Sequence, residues 1–165
     1  MASYIIRPAR IEDAPAACTI LRRSIEELCE SDHHRDPRIL AQWLESKVPE
    51  NVAQWILDPN NRVLVAVEED TMLAVGAVRT NGEITLNYVS PDARFRGVSR
   101  ALLAHLEGIA REFGNDTCYL MSTETARRFY FSAGYEQVGP PEGKFGTTSS
   151  YPMHKHLTVT PSWRL

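Results

Sequence analysis

Apolar positions in the first third of the chain recur with a helical period. Ala17, Leu21, Ile25 and Leu28 fall on one stripe after Asp13 and Pro15. This predicts a helix opened by Asp13 as N-cap with Pro15 in its first turn, ending near Ser31-Asp32-His33-His34. A second helix is predicted after Asp36-Pro37, carrying Ile39, Leu40, Trp43, Leu44 and Val48. Pro49 stops or restarts it, Asn51 to Leu57 reads as a short helical turn, and Asp58-Pro59-Asn60-Asn61 as a turn. Upstream, Tyr4 to Arg7 reads as a strand.

The period then shortens. Arg62 to Glu68 is a Val-rich strand, Glu69-Asp70-Thr71 turns the chain, and Leu73 to Thr80 returns as its hairpin partner. Asn81-Gly82 is the strongest hairpin signal and leads into Glu83–Val89. At Val98 the helical period resumes, with Leu102, Leu106, Ile109 and Phe113 on one stripe, and Gly114 closes that helix. Thr117 to Ser122 is a strand, a helix follows, and Gly134 supplies the left-handed residue that ends it. Tyr135 to Val138 is a strand, Gly139 to Ser150 a Pro/Gly/Ser/Thr-rich loop, Tyr151 to Leu157 the last strand, and 158–165 a loose tail. The order is βααβββαβαββ, without internal repeats or a linker long enough to divide the chain.

Composition narrows the class. At 165 residues the chain suits one domain, residues 1–157 with the tail appended. Such a domain buries roughly 70% of its unfolded surface and needs no staples. Apolar residues are 43% and charged residues 24%, ordinary for a soluble globular protein. The net charge of −3 argues against a nucleic-acid partner. No apolar run is long enough to span a membrane, and no signal peptide precedes the first strand. Cys18, Cys29 and Cys118 are odd in number and widely spaced, which fits a reducing cytoplasm better than a disulfide framework. Cys18 and Cys29 fall on one predicted helix and read as small core hydrophobes.

The candidate chemistry lies between the third meander strand and the helix at Val98. Arg94, Arg96, Gly97 and Arg100 form a basic loop at a helix N-terminus, where free N–H groups and the macrodipole favour phosphates. Neither Gly-x4-Gly-Lys-Ser/Thr nor Gly-x-Gly-x-x-Gly is present, so the two common nucleotide loops are excluded. What is present is Arg94-x-x-Gly97-x-Ser99. Downstream stands Thr123-Glu124-Thr125-Ala126-Arg127-Arg128-Phe129-Tyr130-Phe131-Ser132-Ala133-Gly134-Tyr135.

These two segments resemble the signatures of the GNAT superfamily of N-acetyltransferases. The first is similar to Gln/Arg-x-x-Gly-x-Gly/Ala, with Ser99 where Gly or Ala is usual. The second is similar to Asn-x-x-Ala-x-x-Phe-Tyr-x-x-x-Gly-Phe, with Thr123 and Tyr135 at its ends. The resemblance covers about residues 3 to 157 and is most informative over 83 to 135. It implies an α+β (α/β/α-like) single domain: a mixed, mostly antiparallel central sheet of about seven strands flanked by about four helices. It also implies acetyl-CoA as co-substrate, with Val89, Arg94, Phe95, Arg96, Gly97, Val98, Ser99 and Arg100 as its binding residues. Under this resemblance an acetyl group passes to a primary amine, and no step needs a metal.

A lysine-like amine is neutral in only about one molecule in 2,500 at pH 7, equivalent to roughly 4.6 kcal/mol, so a general base is valuable. Glu83, 11 residues before Arg94, stands where histone-type members place their glutamate, though a polar residue beside the Asn81-Gly82 turn needs no such role. Glu27 on the first long helix is a weaker alternative. Tyr130 matches the tyrosine that serves as general acid toward the departing thiolate. A backbone N–H of Val89 or a neighbour would polarise the thioester carbonyl. His33-His34 and His154-x-His156 lack a third metal ligand at a convincing spacing, and an acyl-enzyme on Cys118 is disfavoured by its strand position. The resemblance implies a small-molecule or peptide amine as acceptor, and dimers are common in the family. A non-catalytic acyl-CoA-binding or regulatory domain is the alternative reading.

Overall fold

The computed structural model describes residues 3–145 and 147–158, with eight strands and six α-helices. The first sheet runs β1 (Ile5–Pro8), β2 (Asn61–Glu68), β3 (Thr71–Arg79), β4 (Ile84–Val89), each pair antiparallel. The second is built on β8 (Thr147–His156), which pairs antiparallel with β5 (Thr117–Thr123), β6 (Glu136–Gln137) and β7 (Glu142–Lys144). The α+β class therefore holds. The single sheet of about seven strands is corrected to two four-stranded sheets, which meet at one isolated parallel bridge between Glu83 and Tyr119.

The loop expected over Gly139 to Ser150 contains β7 and the first residues of β8. Its Pro and Gly content hides a hairpin whose ladder depends on pairing Glu142 with Ser150. The Asn81-Gly82 hairpin closes on a three-residue loop: Arg79 N–H donates to Glu83 O at 2.8 Å and Gly82 takes the left-handed conformation at φ +90°.

Helices cover both faces of the first sheet. α1 (Ala14–Leu28) and α4 (Pro49–Leu57) pack on the face carrying Val63, Val65, Val75, Ala77 and Leu86. α5 (Val98–Glu112) packs on the other face through Leu102 and Leu106. Gly76 on β3 permits that approach, because a Cβ there would stand 2.9 Å from Leu106 Cδ1. The predicted stripe of α5 is realised: Val98, Leu102 and Leu106 are buried. Its polar outlier Glu107 is also buried. It accepts from the Tyr135 hydroxyl at 2.8 Å and from Lys155 Nζ at 3.1 Å, tying α5 to the second sheet.

The first helix stops earlier than expected. Cys29 leaves helical geometry at φ −102°, ψ 31°, and a single turn, α2 (Glu30–His33), folds back. His33 holds it there: its Nε2 contacts Ile25 O at 2.9 Å while its Nδ1 accepts the Arg35 N–H at 3.0 Å. Cys18 and Cys29 thus belong to different segments, both buried and reduced. Asp13 occupies the N-cap position of α1 without capping it. Its carboxylate turns instead to the Arg10 N–H at 2.7 Å and the Arg7 guanidinium at 2.7 and 3.0 Å. α3 (Pro37–Leu44) opens as expected, with the Asp36 carboxylate accepting from Arg38 N–H. Apart from residue 158, the tail expected over 158–165 lies outside the described residues.

Candidate active site

From the Glu83–Tyr119 bridge the edges of β4 and β5 diverge, and a cavity of about 450 Å3 opens between them. That volume suits an organic ligand. Its walls are β4 from Ile84 to Val89, the loop after it, the first turn of α5, and α6 (Glu124–Ser132); Ser24 and Leu28 of α1, with Cys29 just beyond it, close the cavity.

The β4 edge facing the cavity is unpaired beyond the bridge among the described residues. Ser90 N–H donates to Leu73 O at 2.7 Å, and Val75 lies opposite Tyr88. Antiparallel alternation therefore turns the N–H and C=O groups of Asn87 and Val89 away from β3, toward the cavity. At the far end, Gly97 sits at φ +75° as N-cap of α5, and no side chain caps that terminus. The first-turn N–H groups of Val98, Ser99 and Arg100 are left available. A Cβ on Gly97 would meet no atom within 4 Å, so the space over the turn is open. Phe95 also takes a left-handed conformation, φ 64°, and is 93% exposed with the Arg94 guanidinium 4.6 Å from its ring centre. Arg100 reaches across to Ser132 Oγ at 2.7 Å and lies over Phe129.

The structure thus brings Val89, Arg94, Phe95, Gly97, Val98, Ser99, Arg100 and Tyr130 to one cavity. Arg96 goes elsewhere: its guanidinium bonds Glu68 at 2.6 Å and Ser3 Oγ at 3.1 Å. Glu83 sits at the closed end, one residue before the lining begins at Ile84, with its carbonyl accepting from Arg79 N–H. Glu27 is bound to Arg23 at 2.8 Å, outside the cavity.

Tyr130 is 7% exposed and packs edge-on against Phe129 and Tyr135. Burial pushes its phenol up to about 12, partly offset by the neighbouring Asn87 side-chain amide. The other end of that amide, Asn87 Oδ1, is buried and has no hydrogen-bond partner among the described residues. A buried orphan acceptor in a cavity wall suits a ligand N–H. Burial also pushes the Cys29 thiol up to about 12 and the Cys118 thiol to about 11, so both stay neutral and poorly nucleophilic at ordinary pH.

The N-terminus of α6 is heavily capped. Thr123 Oγ1 accepts from Ala126 N–H at 3.0 Å, which explains how Thr serves where Asn is usual. Asp32, 3% exposed, accepts from Glu124 N–H at 2.7 Å, Thr125 N–H at 3.1 Å and Thr125 Oγ1 at 2.5 Å. Asp32 and Asn87 were not anticipated from the sequence. Asn87 left a signal, a polar residue within an otherwise apolar strand end, whereas the partners of Asp32 lie more than 90 residues away.

A second cavity, of about 100 Å3, adjoins the first. Both are lined by Thr85, Leu86, Tyr88, Met121 and Thr123, and the smaller one continues to Asp32, Trp43, Lys47, Phe145 and Ser150. Among the described residues no group of three or more His, Cys, Asp or Glu is arranged to hold a metal.

Solved structures share this architecture. A GCN5-related N-acetyltransferase from Rhodopseudomonas palustris superposes with a TM-score of 0.83 at 22% identity, over 95% of this chain and 98% of that one. PaiA N-acetyltransferase from Thermoplasma acidophilum, in complex with coenzyme A, gives 0.81 at 18% identity, over 94% and 99%. YncA from Salmonella typhimurium with its cofactor acetyl-CoA gives 0.72 at 18% identity, over 98% of each. At such identities the likeness is one of fold. No curated protein sequence matches the chain. The family profile for the acetyltransferase (GNAT) domain matches residues 26–157, most of the chain and every residue of the cavity wall except Ser24, so this protein belongs to the GNAT acetyltransferase family and is an acyltransferase.

Proposed function

We propose that the protein moves an acetyl group from acetyl-CoA to a primary amine by direct attack on the thioester. The observation that carries this reading is the continuity of one cavity. It runs from the uncapped first turn of α5, along the unpaired edge of β4, to Asn87 and Tyr130. Two of the structural neighbours hold coenzyme A or acetyl-CoA.

In this reading the N–H groups of Val98, Ser99 and Arg100, with Arg94 and Arg100, hold the pyrophosphate. The β4 edge at Asn87 and Val89 pairs with the pantetheine arm as a strand would, and one of its N–H groups polarises the thioester carbonyl. The amine nitrogen bonds to the carbonyl carbon, the C–S bond breaks, and the Tyr130 hydroxyl protonates the departing thiolate. Its raised phenol keeps that proton throughout the neutral range. The amine's proton leaves toward Glu83 through water, since the larger cavity has no Asp, Glu or His in its wall. Arg96 contributes by bracing the loop against Glu68. Reduced, buried cysteines and the absence of any described helix long and apolar enough to cross a membrane are compatible with a cytoplasmic setting.

The test is thiol release from acetyl-CoA across a panel of primary amines, alongside calorimetric binding of CoA. Amine-dependent release is expected, and Glu83→Gln is expected to move the acidic limb of the pH–rate profile. Saturable CoA binding with no release for any amine would establish the non-catalytic binding domain instead. An unaltered profile in Glu83→Gln would remove Glu83 from the mechanism.

A further inference from the structure

We infer that the Asn87 side-chain carbonyl binds the donor directly, accepting the amide N–H of coenzyme A that stands nearest the sulfur. The inference rests on the acetyl-CoA reading of the larger cavity and adds a side-chain contact to the backbone contacts proposed there.

The cost to the fold comes first. Asn87 stands between Leu86 and Tyr88-Val89 in a strand, where asparagine is disfavoured. Its Oδ1 is buried and has no hydrogen-bond partner among the described residues. A buried amide oxygen without a partner destabilises the chain that carries it. The fold gains nothing from that oxygen, and a ligand N–H supplies the missing bond.

Direction comes second. Asn87 lies opposite Gly76 on β3, and residues directly opposite on antiparallel strands point to one face. A Cβ on Gly76 would stand 2.9 Å from Leu106 Cδ1 and 3.1 Å from Leu102 Cγ, so Asn87 projects to the face covered by α5. Tyr88 lies opposite Val75 and projects to the face covered by α1 and α4. The cavities follow the same division. Tyr88 lines both, whereas Asn87 lines only the larger one, with Tyr130 and the first turn of α5. Asn87 thus belongs with the donor and not with a molecule in the smaller cavity.

Ligand chemistry comes third. Two methylenes separate the sulfur of coenzyme A from its first amide nitrogen. Tyr130 meets the sulfur in the proposed mechanism and adjoins the Asn87 amide, so that N–H falls within reach of Asn87. Among the described residues the wall carries Arg94 and Arg100 and no carboxylate, which suits a neutral amide better than an ammonium.

The experiment measures calorimetric affinity for CoA and for an analogue in which that amide N–H is replaced by an ester oxygen, in wild type and Asn87→Leu. Wild type is expected to bind CoA about tenfold or more tighter than the analogue, the scale of a buried acceptor left unpaired. Asn87→Leu is expected to bring the ratio to within about threefold of one, mainly by weakening CoA binding, with the KM of a turned-over amine within about twofold of wild type. If Asn87→Leu does not fold, Asn87→Ala removes the amide without adding bulk and gives the same reading. Equal affinities in wild type, or an unchanged ratio in the variant, overturn the inference. An unchanged ratio with a raised amine KM assigns the oxygen to the acceptor instead. Absence of turnover with every amine overturns acetyl transfer and leaves the affinity ratio to decide this contact, whereas absence of CoA binding overturns both.

Discussion

Asp32 and Thr125 are joined by two hydrogen bonds across 93 residues of sequence, one to the backbone N–H and one to the hydroxyl. This contact fixes the start of α6, and with it Tyr130, against α2. The carboxylate closes donors that would otherwise be buried and unpaired, at the positive end of the α6 dipole.

Asp32→Ala should therefore destabilise the fold by about 1–3 kcal/mol, the cost of a lost cap with donors left unsatisfied. Thermal unfolding of the variant checks this, and kcat should fall with it as Tyr130 loses its anchor. A melting temperature equal to wild type would show that water replaces the carboxylate without loss.

Tyr130→Phe should lower kcat by about 100-fold, the lower bound for a positioned general acid. Acetyl-CoA affinity should stay within about twofold, because the ring remains packed between Phe129 and Tyr135. The sign of the raised phenol gives a second readout. A group that loses its proton near 12 remains an acid up to that pH, so wild-type kcat should show no alkaline decline between pH 8 and 10 from this residue. Equal kcat in Tyr130→Phe would assign proton donation to solvent.

Gly97 separates conformation from ligand contact. Gly97→Ala should cost about 1 kcal/mol, because an L-residue at φ +75° is strained while the Cβ itself meets no neighbour. Gly97→Glu should cost a similar amount of stability, yet weaken CoA binding by more than about 100-fold by placing bulk and negative charge over the α5 first turn. Calorimetric titration with CoA distinguishes the two variants. Comparable affinities would mean that the pyrophosphate lies elsewhere.

The Arg7–Asp13 pair predicts an acid-side loss of stability. The Arg7 guanidinium, together with the Arg10 N–H, holds the Asp13 carboxyl below its ordinary value of 3.8. A depressed carboxyl stabilises the fold above the unfolded value and ceases to do so as pH falls through the folded one. Chemical denaturation at pH 6 and at pH 3 should thus show Asp13→Asn losing less stability on acidification than wild type does. An identical loss would make the pair neutral.

The interior stripe of α5, the meander of β2 to β4 and the loop around Gly97 were legible from the chain because their information is local. Helical spacing, turn residues and a helix start are encoded within a dozen neighbouring positions. Arg96 shows the limit. Its spacing placed it with Arg94 and Arg100, but Glu68, 28 residues away, draws its side chain off the cavity. β7 was unreadable for a similar reason: its strand character comes from the edge of β8 and not from its own residues.

The sequence by itself therefore determined the class of fold, the basic loop that opens α5 and the candidate acid Tyr130, since each is written in short-range pattern and residue chemistry. Only the tertiary structure decided that two sheets diverge from Glu83 and Tyr119 to expose the β4 edge. It alone placed Asn87 beside Tyr130, Asp32 beneath α6 and Lys47 at the end of a second cavity. Such side-chain encounters are fixed by how helices and sheets pack, and packing joins residues that no local pattern relates.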